Sequence, residues 1–137
     1  MVGQTTLIPG LRYRDGEAAI DFLCRAFGFE RQLAVMGEGG AVAHAQLVMG
    51  DAMVMLGSLP SADLQAVMAT PEEAGGRVTS TFYVRVADPD AHYQRAVAAG
   101  AVLVRDIADQ SFGGRAYMCR DPEGYVWQFG SFDPWAI

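Results

Sequence analysis

Residues 83–101, YVRVADPDAHYQRAVAAGA, pass from a strand into a helix and out again. Asp88-Pro89-Asp90 is a helix start, because a capping carboxylate accepts from backbone N–H groups that have no partner inside the first turn. The helix covers residues 91–99 and stops at Gly100, a residue that enters the left-handed conformation without steric cost. A strand over residues 79–86 precedes it. Strands at 102–105, 115–119 and 125–129 follow, separated by Gly113-Gly114 and by the turn Asp121-Pro122-Glu123-Gly124.

The same order occurs earlier in the chain. Residues 5–14 form a strand entered through Pro9, Asp15-Gly16 is a turn, and residues 17–27 place Ala19, Ile20, Leu23 and Phe27 on one helical stripe ending at Gly28. Strands at 29–35, 41–49 and 52–56 follow, the last two joined at Gly50-Asp51. Strand, helix with a glycine stop, short strand and hairpin therefore appear twice. The expected fold is α+β, two βαβββ modules in one domain over residues 1–137. Module one is 5–57, a linker with Pro60, Pro71, Gly75 and Gly76 occupies 58–78, module two is 79–132, and a short tail closes the chain at 133–137. A short helix is expected near 62–69. Each sheet has one face under its helix, and the other faces pair within the chain or across a dimer to leave a cleft.

The composition narrows the function. Ten arginines and no lysine stand against sixteen Asp and Glu, for a net charge of -6. An acidic chain without basic clusters does not fit a phosphate backbone, and the missing lysine excludes a Schiff base or a phosphate-loop lysine. No apolar run approaches the roughly 18 residues of a membrane span, so cytoplasm is the expected location. Cys24 and Cys119 read as buried, reduced thiols.

Four stretches, GLRYRDGEAAIDFLCRAFGFE (10–30), HAQLVMGDAMVML (44–56), YVRVADPDAHYQRAVAAGA (83–101) and RDPEGYVWQFGSFDPW (120–135), together resemble the vicinal oxygen chelate superfamily. That superfamily contains glyoxalases, bleomycin-resistance proteins and ring-cleaving dioxygenases. The resemblance implies two βαβββ modules forming an open U-shaped cavity, with a homodimer as the expected assembly. In the metal-dependent members, His, Gln or Glu at four equivalent strand positions hold a divalent ion. Those positions fall here on Ile8, Gln46, Thr81 and Gln128. Ile8 has no donor atom and Thr81 offers only a neutral hydroxyl, so neither a metal nor any other cofactor is expected.

The candidate ligand-binding residues are Arg12, His44, Gln46, Tyr83, Arg85, Tyr117, Gln128 and Trp135. His44 shares a strand face with Gln46, either to meet a ligand or to be hydrogen-bonded near the sheet edge. Gln46 and Gln128 occupy matching places, and an amide recognises carbonyl, amide or hydroxyl groups without burying a charge; the alternative is a bond to each other or to the backbone. Arg12 and Arg85 match in the same way, as anion forks or as partners of internal carboxylates. Tyr117 flanks the Gly113-Gly114 loop, and Trp135 either closes a cleft or interface or ends a loose tail. His92 reads as a surface helix residue, and Met53 and Met55 as core. The expected function is metal-independent binding of a small molecule, in the form of drug or antibiotic sequestration. A glyoxalase-like lyase or other metal-assisted enzyme with altered ligands, and a dimeric accessory protein with a vestigial cleft, are the alternatives.

Overall fold

The computed structural model describes residues 5–136. Its described residues fall into two compact units, one containing residues up to Cys24 with Gly28–Ala69, the other Arg25–Phe27 with residues from Thr70 onward. The first unit runs β1 (Gly10–Arg12), α1 (Gly16–Phe22), β2 (Glu30–Met36), β3 (Val42–Met49), β4 (Ala52–Gly57) and a short α2 (Ala62–Gln65). The second runs β5 (Phe82–Arg85), α3 (Pro89–Ala98), β6 (Val102–Asp109), β7 (Arg115–Arg120) and β8 (Val126–Gly130). Each is a βαβββ module with a four-stranded sheet, ordered β1-β4-β3-β2 and β5-β8-β7-β6. The first strand of each lies parallel to the last, and the other pairings are antiparallel.

Local chemistry accounts for these elements. Asp15 Oδ1 accepts from Ala18 N and Asp88 Oδ1 from Ala91 N, both at 3.1 Å, so both helices begin on a carboxylate cap. Beyond Phe22, α1 widens into a π-helical turn over Leu23–Phe27 and ends at Gly28, whose φ of 91° favours glycine. β1 is much shorter than residues 5–14 and begins only after Pro9, which has no N–H to give to a ladder. β6 reaches Asp109, carried past residue 105 by irregular pairing with β7. The short helix in the connection spans only Ala62–Gln65.

The core of the first unit lies between α1 and its sheet, where Ile20, Leu23, Leu47 and Leu56 are buried. In the second unit the core is aromatic. Phe27, at the end of the π turn, sits 5.3 Å from Trp127 and 4.6 Å from Phe129 between ring centroids, and Tyr117 stacks on Phe129 at 5.6 Å. Each of these side chains contributes roughly 3 kcal/mol through burial. Cys119 is buried among them, its thiol pushed up to about 12 by desolvation and then by Asp121, which makes it inert. Cys24 is half-buried instead.

His92 is not a surface residue. Nε2 donates to the Phe27 carbonyl at 2.8 Å, an acceptor left over by the helix end. With that proton on Nε2, Nδ1 accepts from the Tyr117 hydroxyl at 2.6 Å. The bond that Nδ1 accepts requires a neutral ring, since a protonated imidazole has no lone pair there. Desolvation holds the imidazole below its usual range, the Phe27 carbonyl opposes that, and Arg95 adds to the lowering. The unfolded chain therefore takes up this proton first as pH falls. Stability from His92 is complete above about pH 6.5 and is lost below it. We expect the melting temperature to fall between pH 7 and pH 5 more steeply in the wild type than in H92Q; parallel profiles in differential scanning calorimetry would contradict this.

Candidate functional site

Alternation along β3 and β4 separates two faces of the first sheet. Ala45, Leu47, Val54 and Leu56 are buried towards the helix, while His44, Gln46, Met53 and Met55 are half-buried on the other face. Met53 and Met55 therefore lie outside the helix-side core. The register Gly10↔Met55 and Met55↔Gln46 places these residues in one row, with Arg12 beside Gly57 in the next. Above this face lies a cleft of about 370 Å³. Its floor includes Gly10, Arg12, His44 and Met55, and its wall comes from the segment after β4, through Leu59, Leu64 and Met68. Ser61 caps α2 within that wall by accepting from Leu64 N, and Arg12 Nη1 donates to Met68 O at 2.7 Å, tying the wall to the sheet.

From His44, which lines the cleft, a series of polar groups runs along the sheet. His44 Nε2 donates to Gln46 Oε1 at 2.9 Å, and Gln46 Nε2 donates to Gln32 Oε1 at 2.7 Å. Gln46 is thus bonded at both ends of its amide, to side chains of its own sheet. Gln32 was not among the expected site residues. It sits where the β2/β3 register shifts between Arg31 and Leu33, and simple alternation from Leu33 turns it to the wrong face.

The other expected residues belong to the second unit. Tyr83 pairs with Gln128 and Gln128 with Met118, so the tyrosine and the glutamine share the sheet face away from α3. The Tyr83 hydroxyl donates to Phe132 O at 2.5 Å. Arg85 Nη1 stands 4.0 Å from Asp133 Oδ2 with its side chain 62% exposed, a pair worth little in water. Tyr117 points the opposite way, buried on the helix side with its hydroxyl on His92. Trp135 is 94% exposed. The structure thus gathers Arg12 and His44 at one cleft, with Gln46 bonded to His44 outside its lining, groups Tyr83, Arg85 and Gln128 on the other sheet, and sets Tyr117 in the core.

A divalent ion does not fit the side chains at the four family positions. Ile8 has no donor, Thr81 is an exposed hydroxyl, Gln46 is committed to His44 and Gln32, and Gln128 is one neutral amide. Among the described residues no group of three His, Cys, Asp or Glu is placed to hold a metal. No helix among the described residues is long and apolar enough to cross a membrane.

The sequence pattern of the Glyoxalase/Bleomycin resistance protein/Dioxygenase superfamily matches residues 3–129. The chain belongs to this superfamily. Over 127 residues it is 35% identical to an uncharacterised protein of Mycobacterium bovis, covering 93% of this chain and 83% of that one. An uncharacterised protein of Mycobacterium tuberculosis is also 35% identical, with 93% and 74% covered. Among solved structures, TioX from Micromonospora sp. ML1 superposes with a TM-score of 0.73 at 33% identity, covering 93% of this chain and 98% of TioX. The bleomycin-binding protein of bleomycin-producing Streptomyces verticillus, solved with copper(II)-bleomycin, shares the fold at a TM-score of 0.64 and 20% identity, with 97% and 100% covered.

Proposed function

We propose that this superfamily member binds an organic small molecule without a metal ion, in the cleft over the first unit's sheet, and serves to sequester it. The observation that carries this is the engagement of Gln46: the side chain that stands at a family metal position is used up in the His44–Gln46–Gln32 chain, which starts from the cleft at His44. Thioether and aliphatic groups from Met55, Met68, Leu59 and Leu64 surround an apolar space of drug-like size, and Arg12 and His44 supply a few polar atoms to orient a ligand. That the S. verticillus protein of the same fold binds a bleomycin makes a drug or antibiotic a reasonable class of cargo. A cytoplasmic homodimer completes the proposal. Leu33, Val35 and Met36 on edge strand β2, each more than 40% exposed, support the dimer as apolar surface available to a second copy.

A thermal-shift panel of aromatic and amide-bearing compounds, run with and without excess EDTA, tests the proposal. A ligand at about 100 times its Kd stabilises by about 2.7 kcal/mol, a rise on the order of 10 °C for a chain of this size. The rise is expected to be the same in EDTA. Its disappearance on chelation would overturn metal-independent binding.

A further inference from the structure

The polar edge of the cleft has a direction. His44 Nε2 donates to an amide oxygen, Gln46 Oε1, and that amide's nitrogen donates onward to Gln32 Oε1. A neutral imidazole with its proton on Nε2 carries none on Nδ1, which keeps a lone pair. Among the described residues the chain supplies no donor to that lone pair. His44 and Gly57 both line the cleft, so the ring stands where a ligand in that space would meet it.

We propose that the cleft selects flat apolar molecules that present an N–H or O–H donor, received by His44 Nδ1, over isosteric molecules that present only an acceptor. This rests on the binding function proposed above. An acceptor-only compound would set a lone pair against a lone pair and leave Nδ1 desolvated and unsatisfied. Gln32 and Gln46 act as positioning residues, since they fix which ring nitrogen carries the proton.

Indole and benzofuran, bicycles of nearly equal size that differ in the N–H, are suitable probes. The protein is labelled with 15N-histidine and long-range 1H–15N spectra are recorded well above the ordinary histidine titration range, with H44F assigning the two histidines. The expected result is His44 protonated on Nε2 alone, an Nδ1 resonance that moves with indole and not with benzofuran, and indole bound about fivefold or more tightly. Q46E, which keeps an acceptor for Nε2–H, should retain tautomer and preference; Q46L should mix the tautomers and weaken the preference; H44F should abolish it. A proton found on Nδ1 in the free protein, or equal affinities for the two probes, would overturn the selectivity while leaving binding in place. Failure of both probes to bind, with the tautomer as assigned, would instead remove the cleft as a binding site, and the selectivity with it.

Discussion

Asp121→Ala is expected to cost about 3–5 kcal/mol of folding stability, the range for removing one partner from a buried charged network. Asp121 is only 3% exposed. Oδ1 accepts from Glu123 N at 3.0 Å and Tyr125 N at 3.1 Å, and Oδ2 accepts from Trp127 Nε1 at 3.1 Å. One carboxylate thus closes the turn into β8 and holds the largest buried side chain of the second unit. Alanine would strand two backbone donors and an indole N–H away from water. A drop in melting temperature on the order of 10–20 °C follows. Asp121→Asn keeps one oxygen and turns an NH2 group against a donor, so its loss should be smaller, about 1–3 kcal/mol. Urea unfolding followed by tryptophan fluorescence checks both. A loss below 1 kcal/mol for the alanine variant would show that the three bonds are not holding the turn.

Gly10→Phe is expected to abolish binding of every compound that scores in the thermal-shift panel while leaving the melting temperature within about 2 °C of wild type, as for a surface change that disturbs no packing. Gly10 lines the cleft and pairs in register with Met55, yet a Cβ built on it meets nothing within 4 Å. Its φ is not positive, so a side chain can be added without backbone strain. The phenyl ring would occupy the space assigned to the ligand. Gly57→Ala makes the opposite comparison: its Cβ would meet the Ala43 carbonyl oxygen at 2.8 Å, and overpacking of about 1–3 kcal/mol should appear as lost stability. Isothermal titration with any panel hit separates the two effects. Undiminished affinity in Gly10→Phe would place the ligand elsewhere.

Much of the fold was legible because its signals are local. Asp15 and Asp88 cap helices, Gly28 and Gly100 end them, and strict alternation around His44 and Gln46 assigns those two to one sheet face. What escaped was set by neighbours distant in sequence. The π turn that brings Phe27 beside His92 has no residue signature, and with it His92 changes from a surface residue to a bonded core group. The register shift at Gln32 is invisible without β3 beside it. Residues 58–69 carry no strand pattern and read as a linker, although Leu59, Leu64 and Met68 form the cleft wall once Arg12 holds the Met68 carbonyl. Tyr117 has a polar end that suggests a ligand contact, and only the position of His92 shows that this end is used inside the core.

Metal content is the most direct test of binding without an ion. The protein would be purified without a metal-affinity tag or chelator, dialysed against Ni(II), Zn(II), Mn(II) or Fe(II) in turn, and assayed by inductively coupled plasma mass spectrometry. Side chains as poor in charged donors as Ile8, Gln46, Thr81 and Gln128 predict ions far below one per chain after dialysis into metal-free buffer. One tightly held ion per chain that is lost in a Gln46→Ala or Gln128→Ala variant would contradict the account and return the chain to the metal-assisted members of its superfamily.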